Sequence, residues 1–293
     1  MPGAGKPDLP VPEIRSRHVS IKARVTSCSR QVVSAGNRIA SKSGRTRGGV
    51  MEELKKEMDM IQQPAFECRK LTMRYGKTLA LDAVDLTLMP GRIVGLLGPN
   101  GSGKTTMIKL ANGLLQPTSG EILIAGNAPG PKSKSLVAYL PDRDFLPPYM
   151  NVTQLLEFYS DFFADFDRER AEKLLESLGF EPKQKLKAMS KGTKEKIQLV
   201  LTMSRRAKIY LLDEPIAGVD PAARDFIIRT IIGNYAEDAL VVISTHLIAD
   251  IETVLDEVVF LKKGHIVLHK QSDEVIAENG KDIDHVFREV FAC

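Results

Sequence analysis

The spacing of apolar positions changes character along the chain. Over 66–75 and 79–88 apolar residues alternate with polar ones, and Gly76-Lys77 separates the runs. This predicts two antiparallel strands joined by a short turn. Segment 92–97 is compact and mostly apolar and leads into a glycine-rich turn. A helix over about 104–114 should follow, ended by Asn112-Gly113 and Pro117. Further short strands are expected at 121–124 and 136–140. Residues 151–206 carry three helical patterns and no strand pattern; Ile197, Val200 and Leu201 share the spacing of one buried helix face. Strand patterns return at 209–212 and 240–244, then as a pair at 257–261 and 265–269. Such alternation predicts an α/β fold, a mostly parallel sheet covered on both faces. It carries an antiparallel β subdomain at its start and a helical insertion over about 145–206.

No apolar run approaches the roughly 18 residues of a membrane-spanning helix. Cys28, Cys68 and Cys293 form no metal-ligand spacing and no disulfide framework, which fits a reducing, cytosolic setting. The net charge of +4 hides an asymmetry: residues 1–50 hold ten Lys/Arg and two Asp/Glu, so the other 243 residues are net acidic. The basic character belongs to the tail and does not point to a nucleic-acid-binding core. Three readings of 1–50 stand: a disordered extension, an organelle transit peptide, or upstream sequence that is not translated. In the last reading Gly48-Gly49 reflects a ribosome-binding sequence and Met51 is the start. The expected organisation continues with a lead-in helix over 51–64, one domain over 65–280 and a C-terminal helix over 281–293.

Gly98-Pro99-Asn100-Gly101-Ser102-Gly103-Lys104-Thr105 matches the P-loop pattern at every position, and it follows a predicted strand and opens a predicted helix. Small residues let successive backbone N–H groups point into one concavity, and the helix N-terminus adds partial positive charge. Lys104 is expected at the β- and γ-phosphates of ATP, with Thr106 beside the loop, and the Thr105 hydroxyl on Mg²⁺. Ile209-Tyr210-Leu211-Leu212-Asp213-Glu214 forms a buried strand whose carboxyl end presents two acids. Asp213 is the expected Mg²⁺ partner and Glu214 the general base for the attacking water. Read alone, such an acidic pair is more often a solvated turn; the complete P-loop changes that reading.

With both motifs in place, the chain resembles the ABC ATPase family over about 66–268. The family signature matches Met189-Ser190-Lys191-Gly192-Thr193, which departs from the usual Leu-Ser-Gly-Gly-Gln at three of five positions. Ser190 and Gly192, the positions expected to touch the γ-phosphate, are kept. A plain helix N-cap at Ser190 is compatible with that role. The resemblance implies that the signature serves the nucleotide held by another subunit, so two cassettes face each other head to tail. Ile216-Ala217-Gly218-Val219-Asp220 looks like the D-loop, and Ser244-Thr245-His246 ends with the switch histidine expected to contact the γ-phosphate and hold Glu214. Tyr75 falls where the family stacks an aromatic on adenine; local packing is the competing reading. The Q-loop glutamine is replaced: Tyr139-Leu140-Pro141-Asp142 offers Asp142, a harder ligand for Mg²⁺ than a neutral carbonyl.

What the resemblance implies is an ATP-hydrolysing motor with Mg²⁺ as cofactor, peripheral on the inner, cytoplasmic face of the cell membrane. It would drive a separately encoded integral membrane permease, and Leu-Pro-Asp with Ser-Lys-Gly is similar to bacterial drug- and antibiotic-type exporters. The second ATP-binding subunit would be an identical or a different cassette, and no nucleic acid is expected. Six aromatics between Arg143 and Phe166 exceed what one helix face buries, marking the expected permease-docking surface. Two rival readings are a soluble ABC ATPase outside transport and a regulatory module that binds ATP but hydrolyses it weakly.

Overall fold

A computed structural model describes residues 63–292. The basic tail, and the expected lead-in helix apart from Gln63 and Pro64, lie outside the described residues. Strands β1 (Phe66–Tyr75) and β2 (Thr78–Leu88) pair antiparallel around Gly76-Lys77, with Tyr75 opposite Thr78. Then come β3 (Ile93–Leu97), α1 (Lys104–Ala111), β4 (Ser119–Ile124), the short α2 (Pro131–Lys134) and β5 (Val137–Leu140). The helix expected to reach 114 stops at Ala111: the Asn112 side chain donates to the Ile108 carbonyl, closing the last turn.

The helical block comprises α3 (Val152–Phe162), α4 (Arg168–Ser177) and α5 (Lys191–Met203). Each starts at a residue whose side chain accepts a backbone N–H: Asn151, Asp167 and Ser190 respectively. Then follow β6 (Ile209–Asp213), α6 (Pro221–Asn234), β7 (Leu240–Thr245), β8 (Glu257–Lys262), β9 (His265–Gln271), α7 (Ser272–Asn279) and α8 (Ile283–Phe291).

A six-stranded sheet runs β5-β6-β7-β3-β8-β9, parallel except for β9, and a three-stranded antiparallel sheet runs β2-β1-β4. Every residue of β3, β6 and β7 is buried, which is why these strands read as unbroken apolar runs. Alternate residues serve opposite faces. Tyr210 and Leu212 pack with α6, α7 and α8, while Ile209 and Leu211 pack with α1 and the antiparallel sheet. Helix α5 is shared between layers: Leu199 and Met203 face the sheet, and Ile197, Val200 and Leu201 close the core of the helical block. Arg205 ties that block to β5, with its guanidinium on both Asp165 oxygens (2.9 and 3.0 Å) and on the Val137 carbonyl (2.7 Å). The α/β expectation, with its antiparallel addition and helical insertion, is met.

Candidate functional site

Parallel strands deliver their carboxyl ends to one edge of the sheet, and loops there carry ligands. Here β3 ends at the P-loop, β6 at Asp213-Glu214 and β7 at Thr245-His246. Unlike α3, α4, α5, α6 and α8, helix α1 has no side-chain cap: its N-cap is Gly103, so no side chain competes for its first N–H groups. A carboxylate or phosphate is the natural partner for such a terminus.

Three side chains meet in a line across this edge. The Lys104 ammonium lies 3.2 Å from Glu214 Oε1, and Glu214 Oε2 lies 3.0 Å from His246 Nδ1, where an ionised carboxylate accepts from the Nδ1–H tautomer. Lys104 is 5% exposed and also donates to the carbonyls of Gly98 (2.7 Å) and Pro99 (3.3 Å). Glu214 takes the left-handed conformation (φ +50°), and its N–H donates to the Ser244 carbonyl at 3.0 Å. A non-glycine residue held there costs about 1–2 kcal/mol, and such strain gathers at functional sites.

Asp213 is buried beside this line. Its Oδ1 accepts from Ser244 Oγ (2.6 Å) and Thr105 Oγ1 (3.1 Å), while Oδ2 is buried with no hydrogen-bond partner. Burial pushes its carboxyl above the usual range, the two hydroxyls pull it back, and the charges of Asp142 and Glu214 add to the rise. A buried carboxylate oxygen without a partner, a neighbouring hydroxyl and a second carboxylate nearby form a hard-oxygen donor set that fits Mg²⁺. Asp142 belongs to the same cleft, of about 330 Å³, which Asn100, Asp213, Glu214 and His246 also line. Burial first, then the charges of Asp213 and Asp142, push the Tyr139 phenol well above its ordinary range.

Gly98 and Ser102 are buried, and Pro99, Asn100 and Gly101 are exposed at the turn; Thr105 and Thr106 are half-buried on α1. Ser190 caps α5, accepting from the Thr193 N–H at 3.2 Å, and both Ser190 and Gly192 are exposed and absent from the lining of their own chain's cleft. Tyr75 is 46% exposed at the end of β1, likewise outside that lining. Sequence reasoning missed two residues. Ser244 gives its hydroxyl to Asp213. Gln198, a polar residue within the apolar face of α5, lines the cleft and donates to the Arg143 carbonyl at 3.2 Å. An amide inside an apolar helix stripe was the available signal for Gln198.

A second depression, about 590 Å³, includes Phe145, Phe158 and Phe162 in its wall. Pro141 and Arg143, the neighbours of Asp142, line both cavities. Of the six aromatics expected as surplus, Phe145, Tyr149, Phe158 and Phe162 are exposed, Phe163 is half-buried, and Tyr159 is 8% exposed within the helical core.

Residues 81–217 match the family model described as ABC transporter. The chain is 31% identical over 214 residues to the ABC transporter ATP-binding protein YdbJ of Bacillus subtilis, covering 70% of this chain and 69% of that protein. It is 28% identical over 233 residues to the Nod factor export ATP-binding protein I of Ralstonia nicotianae, covering 76% and 73%. Across curated relatives of this kind the chain spans 60% to 80% of their length. A solved ATP-binding subunit of an ABC transporter superposes with a TM-score of 0.70 at 27% identity, over 77% of this chain and 99% of that one. By these matches, and by the motifs gathered at its sheet edge, the chain belongs to the ABC ATPases, the ATP-binding proteins of ABC transporters.

Proposed function

We propose that this chain is the ATP-hydrolysing subunit of an ABC transporter, working as a head-to-tail pair that drives a separate membrane permease in an export system. The observation that carries this reading is the Lys104–Glu214–His246 line, set beside a buried Asp213 that has one unpartnered oxygen.

In this reading the P-loop N–H groups and Lys104 bind the triphosphate, and Tyr75 stacks on adenine. The γ-phosphate competes with Glu214 for the Lys104 ammonium, so substrate binding frees Glu214 Oε1 to accept a proton from the attacking water. The Nδ1–H of His246 holds the other oxygen and fixes the direction of the base. Mg²⁺, held by Thr105, Asp213 and Asp142, would neutralise phosphate charge. Ser190 and Gly192 of the partner subunit close over the γ-phosphate, adding N–H donors from a helix tip where negative charge develops.

Among the described residues no helix is long and apolar enough to cross a membrane; in this reading the permease is a separately encoded chain and this one works on the membrane's inner face. The aromatic depression suits a cytoplasmic segment of that permease, and the wall it shares with the cleft at 141–143 lets nucleotide state reach the docking surface. Export is supported by the Leu-Pro-Asp and Ser-Lys-Gly motifs and by the likeness to a Nod factor export protein.

In Glu214→Gln, hydrolysis should fall about 10²- to 10⁴-fold, and the variant should sediment as a dimer with Mg-ATP. A variant that stays monomeric there, or that turns over at the wild-type rate, removes the basis for the proposal.

A further inference from the structure

A phosphate loop binds anions only if its peptide planes are held so that N–H groups face the concavity. In a trans peptide the C=O and the following N–H point to opposite sides. Whatever grips a loop carbonyl from behind therefore aims the next N–H forward. The Ser102 carbonyl is gripped in this way: it accepts the N–H of Gly264 at 3.0 Å. Gly264 lies in the turn between β8 and β9, and its own carbonyl accepts the Asp82 N–H at 3.0 Å, which ties the turn to β2.

The packing leaves this contact little freedom. Gly264 has φ +82°, and a Cβ there would stand 2.9 Å from the Ala80 carbonyl oxygen and 3.1 Å from Leu81 Cα. From the loop side, a Cβ on Gly103 would fall 2.6 Å from the same Ala80 oxygen, and one on Gly98 would fall 2.4 Å from the Leu261 carbonyl oxygen. The loop is thus pressed against backbone of β2 and β8, and Gly264 supplies the hydrogen bond between turn and loop.

We propose that Gly264 is a positioning residue for triphosphate binding: its N–H anchors the Ser102 carbonyl and so directs the Gly103 N–H at the phosphates. The proposal rests on 98–105 being the ATP phosphate loop. Lys104→Ala tests that premise separately, and undiminished ATP binding in that variant overturns both.

Gly264→Ala should weaken binding of Mg-ATP about tenfold by titration calorimetry, the scale of one lost or misdirected hydrogen bond. It should raise KM by a similar factor while lowering kcat less. Gly179→Ala is the matched control, with φ +77° and no atom within 4 Å of the added methyl. It should lose comparable stability through backbone strain and keep wild-type ATP affinity. A folded Gly264→Ala protein with wild-type affinity overturns the proposal. Should that variant fail to fold, hydrogen exchange in the wild type decides: the Gly264 amide should exchange about tenfold more slowly with ATP bound. An exchange rate indifferent to ATP overturns it.

Discussion

At Asp213, burial and the nearby charges of Asp142 and Glu214 oppose ionisation, while the hydroxyls of Ser244 and Thr105 favour it. The balance leaves the carboxyl raised, so the folded chain keeps this proton to a higher pH than the unfolded chain does. The resulting penalty is absent below the unfolded carboxyl's pKa, grows as pH rises through the window between the two values, and is full above the folded one. Asp213→Asn keeps the acceptor for both hydroxyls and removes the buried charge. It should raise the melting temperature by about 2–4 °C near neutrality, with the gain closing in mild acid, while Mg-dependent turnover collapses. Melting scans at two pH values check the first half, and a turnover assay the second. A variant less stable than wild type at neutral pH would contradict the argument. Glu214 shows the same trade in backbone form, holding a left-handed conformation where its two oxygens reach Lys104 and His246.

Among the elements, α5 links the helical block to the loop around Asp142. Ser190 caps it, Lys194 pairs with Asp144 at 3.1 Å, and Gln198 donates to the Arg143 carbonyl. One helix therefore joins the loop around Asp142 to Ser190. Just beyond it, Arg205 secures the block to the sheet, with Phe163 stacked 4.1 Å from its guanidinium. Arg205→Met would keep much of the packing but leave Asp165 and the Val137 carbonyl without their donor. Arg205 is buried and Asp165 half-buried, so the cost should fall below the about 3–5 kcal/mol of breaking a fully buried pair. Urea denaturation should show a lower midpoint with an unchanged slope. Wild-type stability in this variant would mean the anchor is redundant.

For the molecule as a whole, the question is how nucleotide chemistry reaches a partner. The exposed ring of Phe162, 70% exposed and stacked on Phe158 with centroids 4.6 Å apart, lies on the aromatic depression and away from the reacting groups. Phe162→Asp should leave the ATPase of the isolated protein within about twofold, as surface changes usually do. It should weaken assembly with the proposed permease about tenfold, the scale of an interface hot spot. Comparing soluble ATPase with vesicle transport separates the two. Normal transport would exclude this surface as the docking site.

The P-loop and the Asp213-Glu214 pair could be read from the chain alone because each is local: adjacent residues set the turn, the strand end and the helix start that give them their geometry. The parallel core was legible for a related reason, since strands buried on both faces must be apolar throughout. Contacts between distant positions were not legible. The hold of His246 on Glu214 was expected from the family resemblance, but that Glu214 also reaches Lys104, that Ser244 steadies Asp213, and that Tyr159 turns inward while Phe158 and Phe162 stay out were decided by how strands and helices stack. The assignment of β4 to the antiparallel sheet is of this kind too, because a short strand pattern carries no record of its neighbour. Local rules determine which groups a segment can present; only packing determines what those groups meet.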